Sequence, residues 1–208
     1  MLKANNNRSN DLGKFLSWIL RHGAVNEGIP IAIDGFVPVE SLLEHRFLKG
    51  RFTKNDIIKV VETDDKRRFA LKFNETSFKI RANQGHSIKV VITLELTPIT
   101  NANSFEHVVH GTFFKKWNKI KLEGLHRMKR NHIHFSQNIT DSSTNISGLR
   151  KNSEIFIYID LEAALQSGLQ FFLSANDVIL CPGDEEGFIK PIFFKKVCRA
   201  NGCPLEFH

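Results

Sequence analysis

Apolar residues return at helical spacing near the start of the chain, at Leu12, Phe15, Leu16, Ile19 and Leu20. This spacing predicts an amphipathic helix ending near Arg21-His22-Gly23, with Gly23 as a C-capping glycine free to take positive φ. Val39, Leu42, Leu43 and Phe47 predict a second short helix over 40–47. Thr53, followed by Lys54-Asn55-Asp56 and then Ile57, Ile58, Val60 and Val61, predicts an N-cap and a third helix. The period then changes. Asp64-Asp65-Lys66 signals a turn, and 68–71 and 77–81 read as the two strands of a hairpin. Three helices and a hairpin predict a small winged-helix unit over residues 1–88.

Residues 89–102 form a connection and the first strand of a second lobe. Val90 to Leu96 reads as an apolar strand, and Thr97-Pro98-Ile99-Thr100-Asn101 breaks it. The second lobe, 103–208, is strand-rich. Strands are expected over 106–109, 132–135, 154–159, 169–173, 178–181 and 192–197, with helices near 113–123 and 160–167. Asp160 is a good N-cap for the second of these. The segment 137–148 is polar and reads as a loop. The overall expectation is an α+β fold of two lobes.

Composition narrows the class. Hydrophobic residues make up 41% and charged residues 25%, so a packed core is expected. No apolar run approaches the length of a membrane span. The N-terminus is polar, so an intracellular protein is expected, with nuclear and cytoplasmic placement both open. The odd cysteine set, Cys181, Cys198 and Cys203, has neither a disulfide framework nor metal spacing. The net charge is +7, and residues 110–134 hold seven basic residues against one acidic. That concentration suits a polyanion such as RNA.

Candidate chemistry is scattered rather than grouped in one motif. GxGxxG, GxxxxGK[ST] and HExxH are absent, which argues against a Rossmann site, a P-loop and a zinc peptidase. His132 and His134 share a strand face, but a metal needs more ligands, and no metal is expected. What remains is Arg21-His22-Gly23 at a helix end, Arg81-Ala82-Asn83-Gln84-Gly85-His86-Ser87 after a strand, His110-Gly111-Thr112 after Val108-Val109, and Arg127, Lys129 and Arg130 before His132. Taken singly, each reads as structural or as a solvated charge. Arginine is nonetheless the side chain best shaped to hold phosphate in a fixed fork.

In combination these stretches resemble the RNA 2'-phosphotransferase family. The resemblance is carried by LGKFLSWILRHGA (12–24), DGFVPVESLL (34–43), KRRFALK (66–72), KIRANQGHSIKV (79–90), VVHGTFFKKWNKIKLEGLHRMKRNHIHFS (108–136), GLRKNSEIFIYIDLEAALQSGLQFFLSANDVILCPG (148–183) and PIFFKKV (191–197). The segment 137–148 and the tail after 198 are less family-like. Asn176-Asp177 stands where relatives carry Asn-Gly, and Asp tolerates such a turn.

The resemblance implies a winged-helix lobe followed by an ADP-ribosyltransferase-like lobe. It implies a catalytic set of Arg21, His22, Arg81 and Arg130. NAD, as a consumed co-substrate, would be gripped at His110 and Gly111, with Thr112, His134, Ser136 and Arg150 in the same pocket. The implied partner is RNA bearing an internal 2'-phosphate, in particular ligated tRNA, and the implied state is a monomer. In the implied reaction the 2'-phosphate displaces nicotinamide from NAD, giving an ADP-ribosylated 2'-phosphate. The ribose 2''-hydroxyl then attacks phosphorus, releasing 2'-OH RNA and ADP-ribose 1'',2''-cyclic phosphate. Two other readings share part of the pattern. One is an ADP-ribosyltransferase acting on protein or on terminal nucleic-acid phosphates. The other is a non-catalytic winged-helix nucleic-acid-binding protein, which leaves HGT and MKRNHIHFS unexplained.

Overall fold

The computed structural model describes residues 2–74, 77–137, 148–149 and 152–207, with side chains from residue 8 onward. Most of the expected loop at 137–148, and Arg150, lie outside the described residues. The architecture is mixed α and β, in two compact units, residues 1–95 and 96–208. The division falls inside the expected 89–102 connection.

In the first unit, α1 (Leu2–Trp18) runs into a single π turn, Ile19–Gly23. The turn is closed by the Ala24 N–H, which donates to the Ile19 carbonyl at 2.9 Å. Gly23 therefore does not cap a helix with positive φ, as the sequence suggested. Its small size answers to packing instead, because a β-carbon there would lie 2.8 Å from the Trp18 indole. β1 (Val37–Pro38) leads into α2 (Val39–Leu43). This helix stops short of the expected 47. The Phe47 N–H donates to His45 Nδ1 at 3.1 Å, a local bond that competes with helical pairing. α3 (Lys54–Glu62) starts on a capping box: Thr53 Oγ1 accepts from the Asp56 N–H, and the Asp56 carboxylate accepts from the Thr53 N–H.

β2 (Phe69–Asn74) and β3 (Ser77–Ala82) form the hairpin, and β1 adds to the far edge of β3, giving the antiparallel order β1-β3-β2. Leu12, Leu16, Ile19 and Leu20 of the first helical run pack with Leu42, Ile57, Val60 and Ile80 in one core. Such contiguous apolar burial is the main stabilising contribution to the unit, at about 25 cal/mol per Å². Residues 90–95 form no strand. The Ile92 and Thr93 N–H groups both donate to the Ile33 carbonyl at 3.0 Å, which ties this segment to the first unit.

The second unit holds β4 (Leu96–Ile99), β5 (Val109–Thr112), α4 (Phe114–Glu123), β6 (Leu125–His126), β7 (Ile133–Phe135), β8 (Ile155–Ile159), α5 (Leu161–Gln166), β9 (Phe171–Ser174), β10 (Ile179–Cys181), β11 (Phe188–Ile189) and β12 (Phe194–Arg199). Four strands pair in the order β4-β9-β10-β7 and three in the order β12-β8-β5, while β6 pairs with β11. All these pairings are antiparallel. Pro98, expected to break a strand, sits inside β4. That strand is an edge, where a missing N–H can face away from the ladder. The core between the elements is built from Ile133, Phe135, Ile155, Ile157, Phe171 and Ile179. Asp160 caps α5 by accepting from the Ala163 N–H at 3.1 Å. Asp177 takes the left-handed conformation, φ 61°, that the turn after Asn176 requires. Among the described residues, no helix is long and apolar enough to cross a membrane.

Candidate functional site

In the first unit the candidate residues are gathered by the segment that follows β3. Arg21 and His22 lie on the π turn, a widened turn often found at functional sites. The segment 83–87 is laid against that turn. The Ser87 N–H donates to the Arg21 carbonyl at 2.9 Å, and Ser87 Oγ hydrogen-bonds His22 Nδ1 at 2.8 Å. Gly85, at φ 91°, lets the chain pass beside Arg21. A β-carbon on it would lie 3.3 Å from Arg21 Cδ and Nε.

Arg81 sits on β3 and is 4% exposed. Its guanidinium carbon lies over the Phe36 ring, 4.7 Å from the centroid. Nη2 donates to the Glu95 carboxylate at 2.6 Å, while Nε and Nη1 have no hydrogen-bond partner among the described residues. The polar neighbours Asn83, Gln84 and His86 are buried as well. Burying so many polar groups in one stretch opposes stability unless they are satisfied.

In the second unit the candidates lie on two strands that touch. The Val109 and Ser136 backbones exchange a pair of hydrogen bonds of 2.9 Å, joining the end of β7 to the start of β5. The sequence placed the HGT motif after a strand. The structure puts it in the strand, since β5 runs Val109–Thr112. His110 Nδ1 donates to the His134 carbonyl at 2.9 Å. This bond holds the proton on Nδ1, so Nε2 is the acceptor of the neutral ring. Thr112, His134 and Ser136 are all buried, at 5%, 8% and 2% exposure. Gly111 is required by space, because a β-carbon would lie 2.4 Å from Ser153 Oγ.

Arg130 is exposed, on a tight turn just before β7. Its N–H donates to the Arg127 carbonyl, and Arg127 Nη1 donates back to the Arg130 carbonyl at 3.2 Å. Arg127 in turn packs on Gly187, where a β-carbon would lie 2.6 Å from its Nε. Burial pushes the His132 imidazole down to about 4, and the Arg127 cation adds to the shift. His132 is therefore neutral near pH 7. Burial raises the Cys181 thiol to about 12, so it is no nucleophile at neutral pH. Among the described residues no cluster of His, Cys, Asp and Glu has metal-holding geometry.

Arg21, His22 and Arg81 thus belong to one unit, and Arg130, His110, Gly111, Thr112, His134 and Ser136 to the other. Sequence reasoning singled out neither Phe36 nor Glu95, and it took Gly85 and Ser87 only as members of the Arg81–Ser87 stretch. The last two stand inside a motif already singled out. Phe36 stands in the DGFVPVESLL stretch without being singled out there, and Glu95 had no signal.

Residues 7–183 match the profile described as "RNA 2'-phosphotransferase, Tpt1 / KptA family". A tRNA 2'-phosphotransferase 1 from Mus musculus is 45% identical over 195 residues, covering 92% of this chain and 78% of the relative. A tRNA 2'-phosphotransferase 1 from Danio rerio is 40% identical over 203 residues, covering 95% and 89%. The tRNA 2'-phosphotransferase of Saccharomyces cerevisiae is 38% identical over 180 residues, covering 83% and 78%.

Proposed function

Since the chain belongs to the RNA 2'-phosphotransferase, Tpt1 / KptA family and is an enzyme of that type, we propose that it removes the internal 2'-phosphate of ligated tRNA at the expense of NAD. The observation that carries the reading is the buried Arg81 fork beside the locked Arg21-His22 turn. Glu95 engages one arm of this guanidinium and leaves Nε and Nη1 without a hydrogen-bond partner among the described residues, and a phosphate fits such planar donors. The order of three helices and the β1-β3-β2 sheet supports a winged-helix lobe. The two sheets joined at Val109 and Ser136 support an ADP-ribosyltransferase-like lobe.

The residues of the second unit suit NAD. His110, Thr112, His134 and Ser136 are hydrogen-bonding side chains with no carboxylate among them, on two adjoining strands. They match the amide and hydroxyl groups of a nicotinamide riboside. NAD supplies an electrophilic anomeric carbon with nicotinamide as its leaving group.

The chain's own residues then have defined tasks. A phosphate oxyanion is already nucleophilic, so the first step needs positioning rather than a general base. Arg21 and His22 orient the 2'-phosphate and its neighbour. The RNA then carries ADP-ribose on its 2'-phosphate. In the second step charge builds on the phosphoryl oxygens, and Arg81 and Arg130 stabilise it. His110, with its tautomer fixed by the His134 carbonyl, orients the nicotinamide end.

The test is an RNA oligonucleotide with one internal 2'-phosphate, assayed with and without NAD. The expected result is 2'-OH RNA and equimolar nicotinamide, only when NAD is present. Transfer of ADP-ribose to terminal phosphates or protein with the internal phosphate untouched would favour the ADP-ribosyltransferase alternative. RNA binding with no nicotinamide release would favour the non-catalytic one.

A further inference from the structure

Arg81 has a carboxylate partner that no motif in the sequence announces. Glu95 lies beyond the 79–90 match, in a stretch whose pattern reads as an apolar strand. Its Oε2 accepts from Arg81 Nη2 at 2.6 Å. The two side chains differ sharply in burial, 5% exposed for Arg81 and 79% for Glu95. An ion pair with one end in water contributes little to stability. The pair is therefore poorly explained as a brace for the fold.

Its geometry is better explained by what it does to the guanidinium. β3 fixes the root of the Arg81 side chain, and its head lies over the Phe36 ring, with Cζ 4.7 Å from the ring centroid. Neither sets the rotation of the guanidinium, because a contact with an apolar ring carries no directional bond. The bond from Nη2 to Glu95 removes this freedom, and it uses a single arm. Nε and Nη1 are buried and have no hydrogen-bond partner among the described residues, so both donors remain to be satisfied. We propose that Glu95 is a positioning residue. It holds the Arg81 guanidinium at one rotation, so that the remaining N–H donors are aimed at the RNA phosphate. The effect on catalysis rests on the phosphotransfer reading above. The effect on Arg81 does not.

The test compares full-length Glu95→Ala, Glu95→Gln, Arg81→Ala and the Glu95→Ala/Arg81→Ala double variant. Rates are measured on 2'-phosphorylated RNA with saturating NAD. The Arg81 Nε–H signal, assigned by its loss in Arg81→Ala, is followed by NMR. Glu95→Ala should lower kcat about tenfold to a hundredfold, the scale of a reacting group displaced by up to an ångström. The KM for NAD and the melting temperature should stay at parental values. Glu95→Gln keeps an acceptor oxygen at the same reach and should recover most of the lost kcat. The double variant should be no slower than Arg81→Ala, because the two act as one unit. The Arg81 Nε–H signal should broaden in Glu95→Ala and stay sharp in Glu95→Gln. A Glu95→Ala enzyme as fast as the parent overturns the proposal, and a faster one shows Glu95 to be a competitor for the phosphate. An Nε–H signal unchanged in Glu95→Ala overturns it whatever the rates. A parent chain that leaves the 2'-phosphate in place, with an Nε–H signal that still depends on Glu95, refutes the phosphotransfer reading and leaves the positioning role standing.

Discussion

Gly85→Ala perturbs the first unit at a point where the structure fixes both a cost and a consequence. Gly85 has φ 91°, a conformation that costs an L-residue about 1–3 kcal/mol. The added carbon would lie 3.3 Å from Arg21 Cδ and Nε and 3.4 Å from Cζ. Comfortable carbon contacts fall at about 3.5–4.0 Å, so the guanidinium must retreat by about 0.4 Å. A full ångström of misplacement costs roughly a hundredfold, so this retreat should cost about fivefold to tenfold in kcat if free energy scales with displacement. Gly50→Ala is the control. Gly50 has φ 69°, and nothing lies within 4 Å of its would-be β-carbon. Both variants should lose a few degrees of melting temperature, because both carry backbone strain. Only Gly85→Ala should lose activity, read as RNA 2'-phosphate removal at saturating NAD and corrected for the folded fraction. Equal kcat in the two alanine variants would refute the claim that Gly85 sets the position of Arg21.

Three further outcomes are expected. Arg81→Ala and Arg130→Ala should each lower phosphoryl transfer by about a hundredfold to a thousandfold, roughly 3–4 kcal/mol, with the KM for NAD nearly unchanged. RNA carrying ADP-ribose should accumulate on a denaturing gel, and Arg130→Lys should rescue only in part, because lysine lacks the fork. Folding should depend on pH through His132, whose imidazole is held at about 4 in the fold against the usual 6.5. The fold prefers the neutral ring, so its contribution is full above pH 6.5 and drains as pH falls from 6.5 toward about 4. His132→Gln should therefore narrow the gap in urea midpoint between about pH 7 and about pH 5, and an unchanged gap would show that His132 is not buried as described. Finally, activity with NAD should survive excess chelator, whereas loss restored by one divalent ion would reveal a metal requirement.

Much of the local structure was legible because it obeys short-range rules. The stripe from Leu12 to Leu20, the Thr53 and Asp160 caps and the 69–82 hairpin each follow from residue type and spacing. The errors have physical causes. A π turn leaves the apolar spacing of Ile19 and Leu20 in register, so periodicity cannot reveal it. Gly23 was misread because a glycine needed for its missing side chain looks like one needed for positive φ. Pro98 suggested a break, but whether a proline disrupts a ladder depends on which strand is the edge. That is a property of the assembled sheet. The two-residue strands β1, β6 and β11 are too short to carry any pattern.

The candidate site residues came from resemblance rather than from short-range rules. β5 was placed too early because His110 and Thr112 interrupt an apolar run, so its second half does not look like core. Motif resemblance supplied Arg21, His22, Arg81 and Arg130, but motifs name residues and not their supports. Phe36 and Glu95 reach Arg81 from 45 positions before it and 14 after it, by virtue of a β1-β3 pairing and a chain that returns past Ile33. Neither neighbour has a distinctive type or spacing of its own. An arginine in water can pair with any anion. Arg81 lies over a ring and has one arm held by a carboxylate, so it is far less free. Those contacts form only after the chain has folded, which is why neither periodicity nor a motif could give them.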